Sequence, residues 1–457
     1  MDSDDIKVLL SILLIWAVVI ATCVFAARQD KRAPADDIGI MWLVVLALYG
    51  TLPPLSWLLQ GSEYSLLSYH RLANLQPSSD EVVQLMYIGM AYACGFSGVY
   101  IFLRRYVPQP HAYTHATIKG SHMGAALLFV LAFLALTTAL RAGGYLRAAE
   151  SYSDSYLAVQ ELPLALRQAL KIGGGFATVA QLVLLVALLQ RWPSTRKLFI
   201  LYLATIVLTY DPGGARTATA LGLLSAAIVW HIVIRPIPAS RWAAAGACGL
   251  VLFMILGVLR GLGVWGADAD DFDPSDFEGV GLGELDALWS NAVQLLQEGH
   301  SKLEIPLTVR YGEFLGFVPS QMLPFEKITL SDWYMETFLP DQKLNGIAWE
   351  FGAITQAVIG GGVAEALLRG GCVAALLATL MKWYRSPTAA WWRLPLYLFL
   401  LTRVFLSIRE TTFVPFTMTV QIALPALLLI ELIAALMPQT SSHSRTIASK
   451  LPHAPKP

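Results

Sequence analysis

The chain has 457 residues, of which 56% are hydrophobic and 14% charged, with a formal net charge of zero and a mean hydropathy of +0.57. Soluble domains average roughly 45–50% apolar residues, so this composition excludes an ordinary water-soluble enzyme and fits an integral membrane protein. The balanced charge, with no basic stripe interleaved with aromatics, argues against a nucleic-acid partner.

The chain opens MDSDDIK and meets its first basic cluster, RQDKR, only after an apolar run. A cleaved signal peptide has the opposite order, so segment 6–27 is expected to be a retained helix with its N-terminus outside. Further apolar segments at 38–59, 82–103, 122–140, 170–190, 197–210, 215–234, 242–260, 361–383, 394–408 and 415–437 approach the roughly 20 residues that a spanning helix needs. The fold class predicted is therefore all-α, a polytopic membrane helical bundle of about eleven spans over 1–437, followed by a polar tail, 438–457, of disordered composition. Lysines and arginines test the count. Arg28, Lys31 and Arg32, then Arg104, Arg105 and Lys119, then Arg191, Arg196 and Lys197, then Arg235 and Arg241, then Lys382, Arg385 and Arg393, and finally Arg445, Lys450 and Lys456 all fall on one side. The positive-inside rule makes that side cytoplasmic and places the C-terminus there.

The opposite face holds the longest connection, 261–345, with fifteen acidic and four basic residues. A structureless loop of that length is unusual, and LDALWSNAVQLLQEG within it reads as an amphipathic helix. Residues 346–360, inside NGIAWEFGAITQAVIGGG, are apolar but glycine-interrupted and read as a re-entrant half-helix, tolerable in a membrane when protein covers it or it lines a cavity. Cys23, Cys94, Cys248 and Cys372 sit in apolar segments without paired spacing, which favours packing over a metal site or disulfides. The acidic run DADDFDPSDFE (Asp268 to Glu278) lacks the glycine turn and terminal glutamate of a calcium loop and reads as a solvated segment. His111 and His115 form a weak i, i+4 pair without a glutamate; no metal is expected.

Arginines on the outer face are the unusual chemistry. Arg216 follows Gly213 and Gly214 in the first turn of a predicted helix, where the dipole disfavours a cation by roughly 0.3–1 kcal/mol. Either the side chain reaches toward lipid headgroups, or an anion seated on the free N–H groups reverses the sign. Arg409 and Glu410 end another predicted helix in LTRVFLSIRETTFVPF, and Arg403 lies about 9 Å deeper along it, where an arginine by default faces protein interior or a wet cavity. The bland alternative for Arg409 is an ion pair with Glu410 or another acid. Arg260 ends its helix, where a cation is favoured anyway, and Arg310 lies in the large loop. Together these guanidiniums suit a phosphate or pyrophosphate. Glu365 and Arg369, spaced i, i+4, read as a structural pair.

Four pieces in this order, GGARTATALGLL, VLRGLG, VRYGEFLGFVPSQMLP, and GIAWEFGAITQAVIGGG followed by IRETTF, resemble the O-antigen polymerase family. These are lipid-linked oligosaccharide repeat-unit polymerases of Gram-negative inner membranes, including the enterobacterial common antigen polymerase. The resemblance is one of layout across nearly the whole chain, carried by short motifs. It implies a multi-span, GT-C-like glycosyltransferase that works without cofactor or metal on the periplasmic face. Growing glycan is transferred from undecaprenyl diphosphate to the non-reducing end of a new undecaprenyl-diphosphate-linked repeat unit, amid membrane lipids and with a possible chain-length regulator as partner. It carries the family's phosphate-facing arginines onto Arg216, Arg310 and Arg409; Arg260 and Arg403 join them from the residue reading alone. The catalytic acids fall on Glu410 and, with departures from the pattern nearby, Asp286. Glu350 and His300 are further candidates for the base that takes the acceptor hydroxyl's proton, and Trp289, Trp333 and Tyr334 are candidate faces for sugar rings. An O-antigen ligase and a lipid-linked oligosaccharide transporter are the competing readings; the latter is disfavoured because no inverted repeat is visible and the charges gather at one face.

Overall fold

The computed structural model describes residues 3–30, 37–60, 76–108, 116–145, 158–192, 194–208, 216–238, 240–242, 244–246, 248–249, 283–298, 305–318, 322–340, 350–386 and 390–437. Among them there are helices and turns and no strand. In chain order the helices are α1 (Ser3–Asp30), α2 (Ile38–Gln60), α3 (Ser79–Arg104), α4 (Gly120–Ala142), α5 (Leu164–Gln190), α6 (Arg196–Leu208) and α7 (Arg216–Val229). There follow α8 (Gly283–Gln297), α9 (Leu330–Phe338), α10 (Ala353–Ile359), α11 (Val363–Tyr384) and α12 (Arg393–Arg403). Last comes α13 (Val414–Leu436), which relaxes into a π-turn at Thr419–Ala423 just before Pro425; proline has no N–H to continue an α-helical ladder.

Seven of these helices, α1 to α5, α11 and α13, are long and apolar enough to cross a membrane. The other expected spans at 197–210, 215–234 and 394–408 hold shorter helices of 13, 14 and 11 residues, and 242–260 lies largely outside the described residues. The amphipathic helix expected in the large loop is present as α8, and its apolar side is buried through Leu288, Trp289, Ala292, Val293 and Leu295.

The closest helix pair is α3 with α11. A Cβ on Gly95 would fall 2.2 Å from the Leu367 carbonyl oxygen, and one on Gly370 would fall 2.5 Å from that of Tyr92. Small residues at such a crossing let backbones meet where lipid provides no hydrophobic drive. Along one flank α13 exposes Val420, Leu424, Leu428, Leu432 and Leu436. Their i, i+4 spacing makes a single apolar stripe, the face expected to meet hydrocarbon.

α11 separates two charged clusters by its 22 residues, about 33 Å of helix. At its C-terminal end Asp37 opens α2: Oδ1 accepts the N–H groups of Gly39 and Ile40 at 3.1 Å and the Tyr100 hydroxyl, and Oδ2 accepts from Arg104 Nε at 3.3 Å. Tyr397 of α12 stacks on Tyr384, and its hydroxyl accepts from Ile38 N at 3.2 Å. That end ties α2, α3, α11 and α12 together. The other end is built differently.

The four cysteines are unpaired, as expected, but Cys94, Cys248 and Cys372 are exposed. They lie on outward helix faces, so their packing role is corrected: the apolar runs that hold them have a lipid-facing side as well as a core side.

Candidate functional site

The site forms around α10. Its seven residues, Ala353 to Ile359, are all buried, because Leu288 of α8, Tyr92 of α3 and the connection after α12 enclose it. Thr355 Oγ1 donates to the Leu288 carbonyl and Tyr92 Oη to the Ala353 carbonyl, both at 3.2 Å. Asn291 of α8 donates through Nδ2 to the Glu350 carbonyl at 2.7 Å. Gly352, at the start of α10, has φ of +90°, a conformation costly for any residue with a Cβ; its N–H donates to the Glu410 carbonyl at 3.0 Å. Thus Glu410 and Glu350, far apart in sequence, border the same short helix.

Arg369 is the hub. Its Nε donates to Glu365 Oε1 at 2.7 Å, and its Nη1 donates to Glu313 Oε1 and, at 3.2 Å, to Thr412 Oγ1. Gln356 of α10 accepts from both the N–H and the hydroxyl of Thr412 through Oε1, at 3.0 and 2.9 Å. Glu365 also accepts the Gly361 N–H at 2.7 Å and lies 3.8 Å from Arg310 Nη2. Arg409 Nε is 2.5 Å from Glu350 Oε2. The predicted Glu365–Arg369 pair is therefore real, and it belongs to a network that joins the 305–318 segment, α10, α11 and the connection from α12 to α13.

Buried polar atoms remain open in this network. Arg310 Nε, Glu313 Oε2 and Gln356 Nε2 have no hydrogen-bond partner among the described residues. The Glu313 side chain is 1% exposed and that of Arg310 30% exposed. An unmet buried donor or acceptor costs about 1–3 kcal/mol, so these groups have capacity for an added polar partner. Burial raises the Glu410 carboxyl above the ordinary carboxylate range, while the positive charges of Arg409 and Lys171 oppose that rise. Lys171, two turns into α5, drew no attention in the sequence.

Arg310, Arg409 and Glu410 thus gather at one end of the bundle. Arg403 is partly buried on α12, with its guanidinium 4.0 Å from the Phe399 ring centroid, and no carboxylate pairs with it among the described residues. Arg216 is the first described residue of the helix backbone of α7; its glycine-led turn and its side chain, like the side chain of Asp286 on α8, lie outside the described residues. Arg260, His111, His115, His300 and the acidic run 268–278 lie outside them too. No cluster of three or more metal-ligating side chains occurs among the described residues.

The expectation for the aromatic residues needs correction. Trp289 is 3% and Tyr334 1% exposed, so neither offers a face to a sugar ring. Trp289 Nε1 donates to the Tyr49 carbonyl at 3.0 Å, and the Tyr334 hydroxyl donates to Gln294. They are the apolar faces of α8 and α9 packed on the bundle. Trp333 remains partly exposed beside Phe338.

Glu313 and Gln356 were not singled out in the sequence, because nothing local marks a partner 56 residues away.

These features define a polytopic, all-helical membrane protein with an arginine-rich, incompletely paired charge network at one end. No family model, curated protein or solved structure matches the chain.

Proposed function

We propose that the protein is a glycosyltransferase of the O-antigen polymerase type, lengthening undecaprenyl-diphosphate-linked oligosaccharides. The reading places it in a bacterial inner membrane with eleven spans, its N-terminus and the Arg409 end periplasmic and its C-terminus cytoplasmic. The observation that carries it is the placement of Arg310, beside Glu365 and its partner Arg369, and of Arg409, held by Glu350, on segments that border the same short helix α10.

In this reaction an acceptor hydroxyl oxygen bonds to the anomeric carbon of the growing glycan, and the bond from that carbon to the diphosphate oxygen breaks. Negative charge builds on the leaving diphosphate. Arginines held in place by neighbouring carboxylates receive it without reorganising, which is where electrostatic catalysis gains most. Arg409 and Arg310 are the phosphate contacts in this scheme, with Arg216, Arg403 and Arg260 completing the positive surface. The proton of the acceptor hydroxyl passes to a carboxylate. Glu410 suits that role because its raised pKa brings a stronger base toward the working pH, and Asp286 is the second candidate.

The test is to incubate purified protein in lipid nanodiscs with one lipid-linked repeat unit. A ladder of glycan lengths with release of undecaprenyl diphosphate is the expected product. Transfer to lipid A core without a ladder identifies a ligase, and movement of intact repeat unit across the membrane identifies a transporter. Either result overturns the polymerase reading.

A further inference from the structure

The segment 305–318 is turned inside out by the standards of a water-exposed loop. Its exposed residues are Pro306, Leu307, Thr308, Tyr311, Phe314 and Phe317, whereas its two charged residues, Arg310 and Glu313, face inward to Glu365 and Arg369. Leu307 is 70% and Phe314 50% exposed, and Met322, just beyond, is 74% exposed. Water on this side would leave apolar side chains uncovered while Glu313 is buried and Arg310 turns inward, the reverse of a soluble surface.

The same face runs directly into the lipid-facing side of the bundle. Phe314 meets Phe413 at 5.1 Å between ring centroids, and Phe413 meets Phe416 at 6.3 Å. Phe317 shares an apolar groove of about 250 Å³ with Leu396 and Leu400 of α12 and Phe416, Val420 and Leu424 of α13. Val420 and Leu424 begin the exposed stripe that continues down α13. Gln421 of α13 donates to the Gly316 carbonyl at 2.5 Å, and Lys327 donates to the same oxygen at 3.3 Å, so the segment is docked on α13 at a fixed height.

We propose that 305–318 is a membrane-seated flap: Leu307, Tyr311, Phe314 and Phe317 insert into the interfacial layer of one leaflet, and the groove behind Phe317 takes a hydrocarbon chain from that leaflet. Aromatic side chains are favoured at headgroup level, where one end is apolar and the other wet. Seating the flap there holds Arg310 at the depth of lipid phosphates. The occupant is bilayer lipid, because the patch is continuous with the flank of a helix that crosses the membrane. This inference stands whether or not the chain transfers glycans.

Spin labelling tests it on the full chain in phospholipid nanodiscs. With Cys23, Cys94, Cys248 and Cys372 replaced by serine, single labels go at Leu307→Cys and Phe317→Cys, with Leu428→Cys on the α13 stripe as a lipid reference and the exposed Glu298→Cys, just past α8, as a water reference. Collision with oxygen, which concentrates in bilayers, is compared with collision with a soluble nickel chelate. Both flap labels are expected to match Leu428, with an oxygen-to-nickel ratio several-fold above that of Glu298. A ratio like that of Glu298 at both positions overturns the proposal. So does protection from both reagents, which means another part of this chain covers the patch, or spin–spin broadening that vanishes on dilution with unlabelled protein, which means a second copy does. Because Leu307 lies outside the groove, its label reports on seating even where a label at Phe317 disturbs packing.

Discussion

The two ends of α11 use the same materials to different effect. At the Asp37 end, one acid and one arginine, 0% and 1% exposed, meet inside a shell in which both Asp37 oxygens accept hydrogen bonds. At the Arg409 end, arginines and acids are spread over four chain segments, exposure reaches 30% at Arg310, and buried polar atoms on Arg310, Glu313 and Gln356 lack partners. A closed pair fastens helices; an open network keeps electrostatic capacity for something that arrives later. What separates the two ends is sealing and spread: the Asp37–Arg104 pair is shut away from solvent, whereas the Arg409 network draws on four segments and reaches solvent at Arg310.

The contrast is broken most severely at the closed end. Asp37→Ala leaves Arg104 buried without its counter-charge and removes the cap of α2, a loss of about 3–5 kcal/mol; thermal unfolding of the detergent-purified chain should show it, or the folded monomer should be missing altogether. Arg409→Ala should behave in the opposite way. Under the proposed polymerase reading, chain lengthening falls about 10²–10³-fold, the scale of removing one donor that stabilises transition-state charge, while the melting temperature stays near that of the parent, and a fully active variant would remove Arg409 from the proposed mechanism. The pH profile sharpens the comparison further. With Glu410 as base, its raised pKa makes the rate climb about tenfold per pH unit until that value is passed, and Glu410→Gln should abolish the limb. Stability runs the other way: burial favours the neutral acid, so stability is full below the ordinary carboxylate range and declines as pH rises through the raised pKa, a decline that Glu410→Gln should flatten. The smallest effect is expected from Arg310→Ala on unfolding, within about 1 kcal/mol, since its contact to Glu365 is 3.8 Å long and partly exposed; a larger loss would show that Arg310 is structural.

Helix placement was largely legible in the sequence. The segments 38–59 and 361–383 became Ile38–Gln60 and Val363–Tyr384, because a long apolar run between charged flanks has few alternatives in a bilayer. The amphipathic α8 was equally readable from its period. What stayed hidden was pairing. Arg369 showed its i+4 neighbour Glu365 but not Glu313 or Thr412, and Arg409 stood beside Glu410 yet pairs with Glu350. Those partners are chosen by how α10 and the 305–318 segment dock, and no local pattern encodes that. Trp289 and Tyr334 misled for a related reason: an aromatic on an amphipathic helix looks the same whether its face meets sugar or protein.

The Glu365–Arg369 pair also bears on how the chain reaches its membrane. A lone ionised side chain in a spanning helix adds about 2.5–3.5 kcal/mol to the cost of insertion. With both charges on one face of α11 and 2.7 Å apart, the helix carries its own neutralising partner as it leaves the translocation machinery. The pair thus makes α11 self-compensated before any other segment docks, and Glu313 and Thr412 complete the outer network when their segments pack against it.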